Sequence, residues 1–361
     1  MGTNLTRLTL RGSLAQIRYL APVHPRAATA PVDVVYRQMR RDFGMLAPPV
    51  LLHAAAPEVL AAVWMILRET LLVNGSATRS DKETVAAAVS LANSCPYCVE
   101  VHTSALRGLV RPRYATALAD RGPDAVGDPA LRAVTRWAYD SGNRAGLRPV
   151  PGPPGRAAEL AGVALTFQYL NRMVNLFLDR SPLPDQLPAA LRGPVRQAVG
   201  WLMAPIGRRV RDPGGSLALL PPAPPAVGLP WVAGEPRVAD AFARAGAAFE
   251  AAGDRSVPPA VRVLVDRRLS TWDGTPPGLT RSWVEDAVAG LEAADRSAGR
   301  LALLAALASY QVAPSVIERY RRDGGTDGSL VELAAWASFA AVRRIGSWLP
   351  AAAGPGTRPA D

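Results

Sequence analysis

Apolar residues recur at helical spacing along most of this chain, in segments that are separated by proline, glycine or short polar runs. No stretch alternates apolar and polar residues for long enough to predict a sheet. The pattern therefore predicts an all-α fold. The helix that begins near Asp81 is expected to be capped by Ser80 or by Asp81 itself. The segments predicted as helices in the first half are Val32–Phe43, Pro57–Val73, Asp81–Asn93, Pro96–Gly108, Asp128–Asp140 and Gly155–Leu178.

The second half of the chain resembles the first. DPALRAVTRWA at residues 128–138 is echoed by DGSLVELAAWA at 327–337, and residues 86–102 align with 302–318 when Leu91 is matched to Leu307. Such an echo predicts two related helical halves, the second degenerate. In the second half, the positions of Glu83, Cys95, Cys98 and His102 are taken by Gly299, Gln311, Pro314 and Glu318.

Composition divides the chain of 361 residues into four predicted parts. Residues 1–30 show little periodicity and are interpreted as an N-terminal arm. Residues 31–180 form the first helical domain, and residues 237–361 form the degenerate helical repeat. Between them, residues 181–236 are rich in proline and glycine, which indicates a stiff connector that holds one helix near Leu187–Arg211.

Basic residues outnumber acidic ones, and the formal net charge is +11. Lys82 is the only lysine, so nearly all of the positive charge is arginine, in short groups with few aromatic residues between them. Such groups are typical of solvated helix faces rather than of a surface that stacks nucleic-acid bases, and we predict no nucleic-acid partner. The densest groups are Arg37, Arg40 and Arg41; Arg208, Arg209 and Arg211; and Arg319, Arg321 and Arg322.

No apolar run is long enough to span a bilayer before proline or a charge interrupts it, so we predict no membrane partner. The start of the chain, MGTNLTRLTLRGSLAQIRYL, lacks the continuous apolar segment and small-residue cleavage site of a secretory signal. The sequence therefore predicts a cytoplasmic protein.

The stretch DKETVAAAVSLANSCPYCVEVHTSAL, residues 81–106, contains both cysteines of the chain and one of its three histidines. Cys95 and Cys98 form a CxxC motif, and His102 follows one helical turn after Cys98. Pro96 suits the first position of a helix, which places the motif at a helix N-terminus. Unpaired N–H groups there stabilise a thiolate, the form that attacks peroxides and disulfides. A potential base beside two thiols favours thiol redox chemistry.

Other interpretations of the motif remain open at the level of sequence. The cysteines can be a buried structural pair, or a structural disulfide whose short loop would stabilise the fold little. They can also bind zinc together with His102, with Glu83 as the fourth ligand. Because no further cysteine or histidine lies nearby, we predict neither a metal nor a cofactor.

Eleven residues separate Glu83 from Cys95, two separate Cys95 from Cys98, and three separate Cys98 from His102. This spacing resembles the signature of the alkylhydroperoxidase D / carboxymuconolactone decarboxylase-like family. The segment 43–72, FGMLAPPVLLHAAAPEVLAAVWMILRETLL, is similar to the family's helix before the active site. The resemblance covers roughly residues 32–178. One departure is Tyr97, because the type member has a histidine between its cysteines, and tyrosine titrates too high to relay protons as imidazole does.

The resemblance implies a role for each residue of the site. Cys98 would be the peroxidatic thiolate and Cys95 the proton donor and resolving thiol. His102 would accept the proton of Cys98, and Glu83 would hold the imidazole. Helix-dipole reasoning alone instead favours thiolate formation at Cys95, the more N-terminal position, so both orders stay open at the level of sequence.

The resemblance and the motif together predict a thiol-dependent peroxidase that reduces hydroperoxides through a redox-active CxxC dithiol. A carboxymuconolactone decarboxylase-like enzyme is one alternative, although the small decarboxylases of the family do not depend on a CxxC pair. A non-enzymatic redox-sensing module is another. Since the chain has no third cysteine, an external dithiol reductant, a lipoyl or thioredoxin-like protein, would reopen the disulfide. The family resemblance also implies a homo-oligomer.

Overall fold

The computed structural model describes residues 10–350 except 184–187, 189, 192, 196, 199–208 and 227. These residues contain helices and no strand, apart from an isolated antiparallel bridge between Ile17 and Leu178, and the all-α prediction is confirmed. Within the same residues, no helix is both long and apolar enough to cross a membrane.

The helices are short to medium in length, and residues 10–15 are also helical. A π-helix, Arg68–Leu72, continues α3. The α-helices are α1 Val32–Asp42, α2 Pro48–Leu51, α3 Pro57–Leu67, α4 Arg79–Ala92, α5 Pro96–Arg107, α6 Pro112–Arg121, α7 Pro129–Asp140, α8 Pro154–Phe177, α9 Pro236–Ser256, α10 Pro259–Thr271, α11 Ser282–Val288, α12 Arg296–Leu307, α13 Pro314–Arg322 and α14 Asp327–Gly346.

Two details of the helix prediction were wrong. The cap of α4 is Thr78 rather than Ser80 or Asp81, because its hydroxyl accepts from the Asp81 N–H while the Asp81 carboxylate accepts from the Thr78 N–H, both at 3.1 Å. Helix α6 was not predicted. Its fully buried face consists of small residues and one leucine, Leu118, which is too little apolar surface to stand out in the sequence.

The two halves of the chain share one hydrophobic core. A single cluster of buried apolar side chains contains residues from Ile17 to Leu349. Helix α9 packs on α3 and α14, and α14 also packs on α8, so elements of both halves meet directly. Around the CxxC motif, α4 packs against α5, α7 and α8. Helices α12 and α13 occupy the sequence positions that align with α4 and α5. That the two halves of the chain are related remains a prediction.

Part of the predicted connector is buried against the first half. The Glu69 carboxylate accepts from the N–H of Gly214 at 2.9 Å and of Ser216 at 3.2 Å. Arg211, predicted on a solvated helix face, is instead buried, and its guanidinium donates to the Asp42 carbonyl at 2.5 and 2.8 Å. The predicted helix near Leu187–Arg211 lies largely outside the described residues, which are helical at 190, 191, 193–195, 197 and 198.

A buried ion pair joins α4 to α8. Lys82 Nζ lies 2.8 Å from the Glu159 carboxylate, and both side chains are almost completely buried. Glu159 also accepts from the backbone N–H of Ser76 at 2.7 Å and of Ala77 at 3.3 Å. Burial lowers the pKa of Lys82, which the charge of Glu159 partly offsets. The pair fixes α4, the helix that carries Glu83, against the long helix of the core.

Replacing one partner of this pair should destabilise the protein. Glu159→Gln leaves the Lys82 charge buried without a counter-ion, and such losses amount to about 3–5 kcal/mol. The free energy of unfolding can be measured by urea titration. Glu58→Gln is the matched control, because its ion pair with Arg255 is exposed and should contribute less than about 1 kcal/mol. Equal unfolding midpoints for the two variants would contradict this prediction.

Candidate active site

The CxxC motif lies at the junction of α4 and α5. Ser94 adopts a left-handed backbone conformation, with φ of +52°, that turns the chain between the helices. Cys95 is the N-cap of α5 and Pro96 takes its first position, as the sequence predicts. The Cys95 N–H donates to the Ser90 carbonyl at 3.0 Å. Cys98 therefore lies in the first turn of α5, where the helix N–H groups have no intrahelical partners.

The two cysteines differ in their access to a cavity. Both are free thiols, and Cys95 is fully buried, whereas Cys98 retains 3% exposure. Cys98 lines a cavity of about 350 Å³ and His102 lines the same cavity, while Cys95 and Glu83 do not. A small molecule in this cavity would therefore meet the sulfur of Cys98 and not that of Cys95.

A buried carboxylate holds His102. Glu83 Oε2 lies 2.7 Å from His102 Nδ1, and Glu83 Oε1 accepts from Arg79 Nε at 2.8 Å. Burial alone would raise the pKa of Glu83, but the charges and hydrogen bonds of Arg79 and His102 outweigh it and lower this pKa to about 2. An ionised Glu83 can only accept, so Nδ1 of His102 donates the hydrogen of this bond.

Cys95, Asn171 and Ser90 are the polar side chains next to the Cys98 sulfur. Burial and the adjacent Cys95 raise the pKa of Cys98 well above its usual value, while hydrogen bonds from Asn171 and Ser90 lower it. Burial thus opposes the stabilisation that a helix N-terminus gives to a thiolate. Cys98 is a thiol at rest, and it needs a base to become a nucleophile.

A buried amide network surrounds this thiol. Asn171 Nδ2 donates to Ser90 Oγ at 2.9 Å, and Asn93 Nδ2 donates to Asn171 Oδ1 at 3.0 Å and to Gln168 Oε1 at 2.9 Å. Asn175 joins at the edge by donating to Ser309 Oγ at 3.1 Å. From the sequence, the buried amides of Asn171 and Asn175 are expected to form either a structural hydrogen-bond network or part of a pocket wall. In the structure, Asn171 belongs to a network, and this network extends to the Cys98 sulfur.

The cavity wall is mainly apolar. Phe167 packs edge-on against the His102 ring at 4.5 Å between centroids and so restricts the orientation of the imidazole. The apolar residues that line the cavity are Phe43, Met45, Ala47, Pro48, Pro49, Leu67, Leu71, Val101, Phe167, Leu170, Pro182 and Leu183.

The N-terminal segment closes one side of the cavity. Gly12, Ser13 and Gln16 line it, and the Tyr97 hydroxyl donates to Gln16 Oε1 at 2.7 Å. Burial raises the pKa of Tyr97 well above its ordinary value. Tyr97, the residue that departs from the family pattern, therefore anchors the arm and holds its proton at neutral pH.

The other histidines lie outside this site. His53 is fully buried, with Nε2 3.0 Å from the Tyr169 hydroxyl and Nδ1 3.2 Å from the Val50 carbonyl. Burial lowers the pKa of His53 to about 3. His24 Nδ1 accepts from the Arg26 N–H at 3.2 Å in an exposed turn. A lone histidine beside apolar residues is more often a satisfied core or rim residue than a ligand, and both histidines fit that interpretation.

The structure brings Glu83 and His102 together, places the two thiols side by side, and adds Arg79 and Ser90, two residues that the sequence did not single out. Arg79, four residues before Glu83, is signalled by the usual spacing of a helical ion pair. Ser90 carries no comparable signal. The sequence marked Asn171 through its spacing from Asn175, but its proximity to Cys98, like that of Ser90, depends on how α4 packs on α8. Within the described ranges, no cluster of three or more His, Cys, Asp or Glu side chains has the arrangement of a metal site.

Comparison with known proteins agrees with the motif. Residues 57–140 match the carboxymuconolactone decarboxylase family. The chain is 37% identical over 337 residues to alkyl hydroperoxide reductase Rv2159c of Mycobacterium tuberculosis, covering 93% of this chain and 96% of that protein. A crystal structure of an alkylhydroperoxidase AhpD core protein from Ralstonia eutropha is 23% identical, with a TM-score of 0.39, over 54% of this chain and 98% of that one. Because the mycobacterial relative matches along nearly its whole length, the chain belongs to the alkylhydroperoxidase D / carboxymuconolactone decarboxylase family.

Proposed function

We propose that this protein is a thiol-dependent peroxidase that reduces hydroperoxides through Cys98 and Cys95. The observation that carries the proposal is the Cys98 thiol in the wall of an apolar cavity, beside a histidine held by an ionised carboxylate. Such a cavity suits the alkyl part of an organic hydroperoxide, with its O–O bond at the polar wall. The likeness to a protein named as an alkyl hydroperoxide reductase supports the same activity.

In the first step, Cys98 gives its proton to Nε2 of His102. The base is needed because burial raises the pKa of the Cys98 thiol. The thiolate then attacks the terminal oxygen of ROOH, so that an S–O bond forms as the O–O bond breaks. The leaving alkoxide takes the proton from His102 and departs as the alcohol ROH, and Cys98 becomes a sulfenic acid.

In the second step, the Cys95 sulfur attacks the Cys98 sulfur. An S–S bond forms, and the departing hydroxide takes the Cys95 proton and leaves as water. An external dithiol reduces this disulfide by two exchanges and becomes a disulfide itself. The sum is ROOH plus dithiol giving ROH, water and the oxidised dithiol. A lipoyl or thioredoxin-like protein has the chemistry to serve as this reductant.

The two orders of cysteine roles are distinguished by access and position. Cys98 faces the cavity and has Asn171 and Ser90 to stabilise its thiolate, and His102 lies one turn away. Cys95 is sealed from the cavity but adjacent to Cys98, which suits a resolving thiol. These features support Cys98 as the residue that meets the peroxide, in agreement with the family resemblance.

The second half of the chain has a different role in this proposal. Its counterpart positions, Gln311, Pro314 and Glu318, can form neither a thiolate nor a disulfide. We assign turnover to the first half, and fold and assembly to the second. A homo-oligomer is part of the same expectation.

The activity can be tested by following peroxide loss with dihydrolipoamide as the reductant. We expect turnover of tert-butyl hydroperoxide with kcat/KM at least about tenfold above that of hydrogen peroxide, because each buried methylene contributes about 0.8 kcal/mol. The double variant Cys95→Ser/Cys98→Ser controls for uncatalysed reduction. A well-folded protein that consumes no peroxide would overturn the proposal. If its CxxC disulfide still forms and reopens, the redox-sensing alternative would be favoured.

A further inference from the structure

A second pocket, of about 110 Å³, lies where the first half meets the second. Asn93 and Gln168 of the amide network line it from the first half, and Trp272 and Ser309 line it from the second. Arg172, on α8, is the one charged side chain among the described residues that line this pocket. The pocket is thus separate from the peroxide cavity and carries a net positive charge.

The guanidinium of Arg172 is buried without a counter-ion. Only 7% of the residue is exposed, and it pairs with no carboxylate of the described residues. Nε donates to the Ala306 carbonyl at 2.9 Å, and Nη1 donates to the carbonyl and to Oε1 of Gln168 at 2.5 and 3.0 Å. The hydrogen bonds of Arg172 to described residues use Nε and Nη1 and not Nη2, and the guanidinium carbon lies 6.0 Å from the centre of the Trp272 ring. A buried cation without an anion is costly, so an anion in the pocket would offset this cost.

Gln168 and Ser309 provide further donors. Gln168 is 1% exposed, and its Nε2 is buried without a hydrogen-bond partner in the described structure. This amide packs closely against Gly142, since a Cβ there would lie 2.6 Å from Nε2. Ser309 Oγ accepts from Asn175, which leaves its own hydrogen to be donated. The residues that carry these three donors all line the pocket, and its described lining holds one positive charge and no carboxylate.

We propose that this pocket binds a small carboxylate. The two oxygens of a planar carboxylate would accept from Arg172 Nη2 and Gln168 Nε2, the geometry in which arginine binds carboxylates best. The pocket has the volume of roughly three to four water molecules, which suits acetate or the carboxylate end of a small organic acid. This site does not rest on the peroxidase proposal, because none of the three donor residues lines the peroxide cavity, although Gln168 also belongs to the amide network around Cys98.

Saturation-transfer NMR with sodium acetate, at constant ionic strength and with chloride as the reference anion, tests the proposal. We expect saturation of the acetate methyl group by the wild-type protein, and a melting temperature that rises with acetate concentration. Gln168→Glu should weaken acetate binding at least tenfold. In the wild type, Gln168 Oε1 lies 3.0 Å from Arg172 Nη1 and accepts from Asn93. A carboxylate at this position would keep both contacts and would neutralise Arg172, so that the acetate loses its counter-ion.

Two further variants keep the test independent of folding. Gln197→Glu changes the net charge equally at an exposed position and should bind acetate as the wild type does. Gly142→Ala, which displaces the Gln168 amide but leaves Arg172 intact, should also weaken binding. Absence of acetate saturation in the wild type, or equal saturation in the wild type and Gln168→Glu, would overturn the proposal.

Discussion

Cys98→Ser is expected to abolish peroxide reduction, with a loss of about 10³-fold or more, because a serine hydroxyl cannot replace the thiolate that attacks the O–O bond. Cys95→Ser is expected to stop steady-state turnover for a different reason. Its Cys98 should still consume one equivalent of peroxide and then remain as a sulfenic acid. Rapid-mixing measurement of peroxide loss, followed by trapping with dimedone and mass spectrometry, distinguishes the two variants.

The fold provides an internal check on these variants. Both serines are nearly isosteric with cysteine, and Cys98→Ser keeps its hydrogen-bonding neighbours Ser90 and Asn171. Far-ultraviolet circular dichroism should therefore match the wild type for both. The opposite result would be a sulfenic acid at Cys95 in the Cys98→Ser variant and none in the Cys95→Ser variant. In that case Cys95 would be the nucleophile, and His102 would act on the resolving step.

Glu83→Gln is expected to lower the rate of peroxide reduction about 10²- to 10⁴-fold, the range that a positioned acid–base group contributes. The amide has no charge to fix the His102 proton on Nδ1, so Nε2 no longer accepts reliably from Cys98. Rapid single-turnover kinetics at several pH values measure the effect. We expect part of the lost rate to return at high pH, because hydroxide can then remove the Cys98 proton directly.

The same variant has a signature in stability. The pKa of Glu83 is lowered from an ordinary 4.5 to about 2, so its stabilising contribution is complete above pH 4.5 and is lost as the pH falls towards 2. Integrated over this interval, the shift corresponds to about 3 kcal/mol. Glu83→Gln should remove this part of the pH dependence of the unfolding free energy. Glu318→Gln, the same change at an exposed position, should leave both the rate and the pH dependence unchanged.

Local sequence patterns predicted much of this protein. The helical spacing and the Pro96 signal placed α5 and its CxxC within one residue, and the spacing of Glu83 and His102 identified a pair that the structure joins at 2.7 Å. Each of these features depends on contacts within one helix or between adjacent helices. Features that depend on packing between distant segments could not be predicted in the same way.

The missed features illustrate that limit. Asn171 reaches Cys98 only because α8 crosses α4, and the sequence gives no measure of that crossing. The burial that raises the pKa of Cys98 is likewise a property of several packed helices, whereas the opposing effect of a helix N-terminus is local and visible in the sequence. Arg211 was assigned to solvent because its neighbours are basic, and its buried contact with Asp42 is 169 residues away along the chain.

The ion pair between Lys82 and Glu159 has a practical consequence for labelling. Lys82 is the only lysine of the chain and is 1% exposed, so amine-reactive dyes and surfaces meet no accessible lysine on the folded protein. The rate at which Lys82 is acylated would therefore measure how often α4, the helix that carries Glu83, opens away from the core.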